Sequence, residues 1–273
     1  MKTNFNNMEF TQTDITDNND DKTFIESCNE LGLQFTADWN IYKIDINNQH
    51  VMDRYGHYYV IKKKLTENNK LPILFAMAGF SQKSFCGSAN VIFNNIDKVK
   101  HKFQSVYIMC HGTGVKKLSV DAYKIWEKLE PVKKNLYKDE LSLNKELAKI
   151  TDKIIRSIVG ENKVHLLGKC AGGGVAIQTV ILNNIYTGLY LSVPSSPNNV
   201  NDLKELGKDR IKSMVFRFSW QDEDPIEFGW GFCRDGKDSY DKTMEQLGAL
   251  DYKGEIYSGK EHEISDQLFT ELI

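Results

Sequence analysis

The chain has no apolar run approaching the ~20 residues that a membrane-spanning helix needs, so none of its 273 residues is assigned to a bilayer. Charge of one sign is lacking too. The 35 basic side chains against 37 acidic ones leave a formal charge of −2, which gives no reason to invoke nucleic acid or an acidic membrane as partner. The five cysteines (28, 86, 110, 170 and 233) are odd in number and never form a C-x-x-C pair. That excludes a disulfide framework and the usual zinc patterns, and the thiols read as reduced. No His or Cys pair has metal-ligand spacing. After His262-Glu263, position 266 carries Asp266 where a second His would stand. The opening stretch MKTNFNNMEFTQTD lacks a signal peptide's apolar core, so a cytoplasmic protein is expected, as a monomer or homodimer, with neither cofactor nor metal.

What is present is an ordinary globular composition, 41% hydrophobic and 26% charged. Residues 1–22 are polar and Asn-rich and are expected to be a flexible tail; residues 23–273 are expected to form one domain. Thr23–Leu33 suits a short helix. Two alternating stretches, Trp39–Ile46 and His57–Ile61, predict paired strands. Leu71–Ala78 and Ser105–Met109 are nearly continuous apolar runs, the mark of strands buried on both faces of a parallel sheet. A helix is expected near 89–103 and a Lys-rich surface helix within 115–138. Leu143, Leu147, Ile150, Ile154 and Ile158 make one helical stripe that Gly160 ends, with Asp152 and Arg156 paired across a turn. Later pieces read as strands at 188–193, 211–218 and 254–258, with helices near 200–206 and 240–250 and a short one at the end. Strand and helix alternate from residue 71 onward, which indicates an α/β fold with function at the carboxyl ends of the strands.

The centre of this pattern is Lys163–Asn183, KVHLLGKCAGGGVAIQTVILN. A short apolar strand runs into Gly168-Lys169-Cys170-Ala171-Gly172, and Val175, Ile177, Val180 and Ile181 then recur with helical spacing. Glycines two before and two after one nucleophilic residue mean a turn too sharp for Cβ atoms, with the nucleophile strained at the head of a helix. Phosphate-binding alternatives fail on residue identity. A P-loop would need Gly where Lys163 stands and Ser or Thr at Cys170, and a dinucleotide fingerprint would need Gly at Ile177.

This turn resembles the nucleophile elbow of the α/β-hydrolase superfamily, with Cys in place of the usual Ser. The run GKCAGGG is most similar to dienelactone hydrolases and polyhydroxyalkanoate synthases. The resemblance covers roughly residues 39–270. It implies an α/β-hydrolase fold with a mostly parallel sheet of about eight strands, flanked by helices and without a large cap domain. It also implies a triad in the chain order nucleophile, acid, His. Cys170 is then the nucleophile and His262, in Gly259-Lys260-Glu261-His262-Glu263, the base. Asp224, in Trp220-Gln221-Asp222-Glu223-Asp224-Pro225, is the orienting acid, with Asp222 in reserve and Asp202 a weaker third choice. The oxyanion hole would combine the backbone N–H of Ala171 with that of Phe80; Ala78 stands where the family usually has His. Ser81, His111, Lys169 and Trp230 are candidate substrate contacts, and Phe228–Phe232 a candidate pocket wall. His165 lies inside a strand and is expected to be packed.

The expected activity is hydrolysis of a small ester, lactone or thioester through an acyl-enzyme, with a small-molecule acyl compound as the substrate. An acyltransferase or polyester-synthase-like enzyme with the same triad is an alternative. A silent binding protein on a hydrolase scaffold is another, because fold alone does not dictate activity.

Overall fold

The computed structural model describes residues 10–14, 22–36, 38–47, 56–79, 82–110, 133–194, 197–223, 232–259 and 264–272. Its strands are β1 (Phe10–Asp14), β2 (Asn40–Ile46), β3 (Tyr58–Lys64), β4 (Ile73–Met77), β5 (Ser105–Cys110), β6 (Val164–Lys169), β7 (Tyr186–Ser192), β8 (Val215–Gln221) and β9 (Asp251–Tyr257). They form one nine-stranded sheet in the order β1-β2-β3-β5-β4-β6-β7-β8-β9. The pairings from β5 to β9 are parallel, and those from β1 to β5 are antiparallel.

The sequence explains this division. Every residue of β4 and β5 is buried, as expected of strands covered on both faces. At the other extreme β9 alternates exposed and half-buried positions until Tyr257, the pattern of an edge. The first hairpin-like pair behaves as its alternation predicts, β2 and β3 running antiparallel from Asn40 opposite Lys62 to Ile44 opposite Tyr58.

Helices close the two faces: α1 (Lys22–Glu30), α2 (Gln82–Asn94), α3 (Ile96–Val99), α4 (Lys133–Val159), α5 (Ala171–Leu182), α6 (Lys208–Ser213) and α7 (Phe232–Leu247). The stripe Leu147, Ile150 and Ile154 of α4 is fully buried with Val175, Ile177 and Val180 of α5 on one face. Phe24 and Cys28 of α1 pack with Phe85, Ala89 and Ile92 of α2 on the other. The predicted pair Asp152–Arg156 is present at 3.0 Å, and Asp152 also accepts from the Tyr186 hydroxyl at 2.7 Å, joining α4 to β7. Thus the helices leaving the adjacent strands β4 and β6 go to opposite faces. The crevice that opens between two such departures is where open α/β sheets bind ligands.

Several boundaries differ from expectation. Residues 10–14 of the expected tail are an edge strand, pairing Phe10 with Ile46 through Asp14 with Tyr42, and Lys22 already begins α1. The helix expected at 89–103 starts earlier, at Gln82, and breaks between α2 and α3. The expected strand 211–218 is in fact a helix to Ser213 followed by a strand from Val215. Ile211 is the one buried residue of that short helix, whereas the real strand alternation is carried by Phe216, Phe218 and Trp220. The last strand begins at Asp251, three residues before its expected start. The surface helix expected within 115–138 falls outside the described residues up to Lys133, where α4 begins. Among the described residues no helix is long and apolar enough to cross a membrane.

Candidate active site

Cys170 follows the last residue of β6 and precedes the first of α5, with φ 51° and ψ −125°. Positive φ costs a residue with a Cβ roughly 1–2 kcal/mol, so the surroundings must hold it there. The Cys170 N–H donates to the Ser192 carbonyl at 3.1 Å, and its own carbonyl accepts from Gly173 N–H at 2.9 Å. The glycines make the turn possible by close approach. A Cβ on Gly168 would lie 2.6 Å from Gly173 Cα, and one on Gly172 would lie 2.5 Å from the carbonyl oxygens of both Met77 and Ala78. The first turn of α5 therefore rests directly on the end of β4.

Cys170 is half-buried, while Cys28, Cys86 and Cys110 are buried. Cys28, Cys86 and Cys110 gather between α1, α2 and the end of β5, and burial pushes the Cys110 thiol well above the ordinary range. Only Cys170 among these four has a partly open thiol and a strained backbone. Ala171 is the first residue of α5, and the N–H groups of a helix's first turn have no partner within the helix. The described end of the other expected donor loop is adjacent: a Cβ built on Gly79 would stand 3.8 Å from that of Cys170.

A second strained residue accompanies the nucleophile. Val193, just past β7, has φ 44°, unusual for a β-branched side chain. Its N–H donates to Ser219 O at 2.8 Å. Beneath it the buried hydroxyls of Ser192 and Ser219 lie 3.3 Å apart. Sequence reasoning did not single out Val193, Ser192, Ser219 or Ser84; positive φ in a Val-Pro dipeptide leaves no residue signature of its own.

Towards the β9 edge of the sheet, the ends of β8 and β9 are latched together. Asp222 N–H donates to Tyr257 O at 3.0 Å, Glu223 N–H to Gly259 O at 3.0 Å, and Gly259 N–H to Asp222 Oδ1 at 2.9 Å. The segments carrying Asp224 and His262 thus depart from one fastened point, two strands along from β6. Phe80, Ser81, His111, Asp224, Trp230 and His262 themselves lie outside the described residues, as does the stretch Phe228–Gly231. Of the described site candidates, Lys169 is 1% exposed and donates to Ser84 Oγ at 3.1 Å. Asp202 accepts from Gln178 Nε2 at 2.6 Å, two turns down α5 from the nucleophile, roughly 12 Å along the helix axis.

His165 is packed, as expected. Its Nδ1 lies 2.6 Å from the Tyr190 hydroxyl, and burial, with a smaller push from Arg217, lowers its pKa to about 4. His57 meets Asp45 at 2.6 Å on the exposed side of β2 and β3, with β5 and β4 between it and β6. Among the described residues no cluster of His, Cys, Asp or Glu is arranged to hold a metal ion.

No protein-family model matches the chain, and no curated protein matches it in sequence. Solved structures do match. A cold-adapted esterase from an Arctic intertidal metagenomic library shares 11% identity over 86% of this chain and 91% of its own, with a TM-score of 0.50. A CIB-like hydrolase from Thermoplasma acidophilum shares 16% over 76% and 84%, with a TM-score of 0.42. Acetyl xylan esterase 1 from Thermoanaerobacterium shares 14% over 91% and 89%, also at 0.42. The likeness is one of fold, and with the strand order above it makes this an α/β-hydrolase fold.

Proposed function

We propose that the chain is a cysteine-dependent acyl hydrolase acting on small esters, lactones or thioesters, with a single catalytic domain that already includes β1. The observation that carries this reading is the backbone of Cys170. A strained, half-buried thiol heads α5 beside the end of β4, where an acyl carbonyl would meet helix-terminal N–H groups.

In this reading His262 takes the proton of the Cys170 thiol, and the sulfur attacks the substrate carbonyl carbon. Charge collects on the carbonyl oxygen, which accepts from the N–H groups of Ala171 and Phe80. The carbon–oxygen or carbon–sulfur bond to the leaving group then breaks as His262 returns the proton to it. Water, deprotonated by His262, attacks the resulting thioester. Cys170 leaves as thiolate, and the acid product departs. Asp224 fixes the imidazole tautomer, with Asp222 in reserve. Ser81, His111 and Trp230 contribute to the pocket.

The test is turnover of p-nitrophenyl acetate by the wild type and by Cys170→Ala, with mass spectrometry of the quenched reaction. Loss of turnover in the variant and an acetyl adduct on Cys170 in the wild type are expected. Undiminished turnover in Cys170→Ala would remove the proposal. Added methanol or a small thiol separates hydrolysis from transfer by the product formed.

A further inference from the structure

Lysine is almost never fully buried unless paired, because an ammonium taken out of water loses solvation that an apolar side chain of similar length never had. Lys169 is 1% exposed and stands immediately before the nucleophile. It shares a face of β6 with Leu167, which packs against the α1–α2 side of the sheet. Its Nζ reaches α2 and donates to Ser84 Oγ at 3.1 Å. Ser84 is the third residue of α2, so the cation also sits near the positive end of that helix dipole, where it is least welcome. A lysine buried beside the nucleophile and tied to the start of α2 calls for a role.

The surroundings of Ser84 indicate one. A Cβ built on Gly79 would lie 2.9 Å from Ser84 Oγ and 3.8 Å from Cys170 Cβ. The hydroxyl that Lys169 holds therefore fills the space beside Gly79, and Gly79 in turn borders the nucleophile. Lys169, Ser84, Gly79 and Cys170 are thus neighbours where the end of β6, the start of α2 and the end of β4 come together. The residues between Gly79 and α2 are those from which the second oxyanion donor, Phe80, is expected.

We propose that Lys169, acting through Ser84, is a positioning residue that sets the distance between the oxyanion loop after β4 and the thiol of Cys170. The proposal deepens the acyl-hydrolase reading and rests on it for its catalytic consequence, but its structural content is independent. Lys169 is thus a strut behind the site rather than a substrate contact.

The experiment compares the wild type with Lys169→Met, Lys169→Arg, Ser84→Ala and the Lys169→Met/Ser84→Ala pair. Three readouts are used: hydrogen exchange of peptides spanning residues 75–90, kcat and KM for p-nitrophenyl acetate, and the rate of iodoacetamide alkylation of Cys170. Displacing an oxyanion donor typically costs ~10²-fold or more. Lys169→Met and Ser84→Ala should therefore each lower kcat ~10- to 100-fold with KM within about twofold. The pair should do no worse than the poorer single variant, and Lys169→Arg should recover part of the loss. Exchange near Gly79 should quicken in both single variants, while alkylation, which builds no oxyanion, should keep its rate.

Unchanged exchange and kcat in both single variants would overturn the proposal. So would alkylation falling in step with kcat, which would place Lys169 on the thiol itself. If the wild type turns over no ester, exchange and alkylation still decide the strut while the acyl-hydrolase reading fails separately. If Lys169→Met does not fold, Ser84→Ala, which removes one hydroxyl at a half-buried position, decides alone.

Discussion

The two sides of the candidate site, the elbow and the rim at the ends of β8 and β9, are built in different ways. At the elbow, backbone meets backbone: Gly172 lies against the carbonyls of Met77 and Ala78, Gly168 against Gly173, and Cys170 is tied to β7 by its own N–H. At the ends of β8 and β9, hydrogen bonds fasten the two chains at Asp222 and Gly259, and the residues proposed as acid and base lie two or three positions further on. The first side has no freedom in side-chain choice, and the second has a great deal. A nucleophile must be presented at a fixed angle by a turn too tight for ordinary residues, whereas an acid and a base need only be delivered to it by loops.

That contrast can be broken most sharply at the thiol. Cys170→Ala should lower ester turnover by ~10³-fold or more while leaving the thermal midpoint nearly unchanged; a fall in stability instead would make Cys170 a structural residue. Next comes the fastened rim. Asp224→Asn should cost ~10²- to 10⁴-fold in kcat if that carboxylate fixes the imidazole, and Asp222→Asn less than ~10-fold, since its exposed bond to Gly259 is worth under ~1 kcal/mol. The reverse ranking in steady-state assays would exchange their roles.

Gly172→Ala addresses the backbone side. A Cβ 2.5 Å from two carbonyl oxygens must push α5 off β4, destabilising the fold by ~3 kcal/mol or more, read by urea unfolding. An uncrowded control, Gly207→Ala, has open space but φ 77° and should cost only ~1 kcal/mol.

A further effect appears only in acid. His165 titrates near 4 when folded and near 6.5 when unfolded. The unfolded chain therefore binds the extra proton first, and stability falls as pH drops from about 6.5 towards 4. The loss assignable to this ring is ~3 kcal/mol at the bottom of that window and absent above it. Chemical denaturation of wild type and His165→Phe at pH 7 and pH 4.5 measures it. Equal slopes would mean the ring is not held neutral.

The elbow was legible from residues because its requirement is one of volume, and volume is written directly in Gly168, Cys170 and Gly172. The central strands were legible for a related reason: burial on both faces forces the apolar runs at 73–77 and 106–110. Where the pattern misled, local composition and tertiary position disagreed. Ile211 looks like the start of a strand, yet it is a single apolar contact on a charged helical turn. Residues 10–14 carry little to bury, and they become a strand only because β2 offers an open edge. Val193 and the burial of Lys169 had no local signal, since each depends on neighbours from distant strands and helices.

The other end of α5 has a consequence for how the molecule can adapt. Arg210 of α6 donates to the Val180 carbonyl at 2.6 Å and also to Asn183 O, placing a cation on the helix's negative terminus. Clamped by packed backbone at its head and by a guanidinium at its tail, this helix is a poor candidate for sliding along its axis. Any accommodation of substrates of different girth then falls to the loops opposite. Selection for a new substrate should accordingly leave residues 168–183 alone and alter the rim around them.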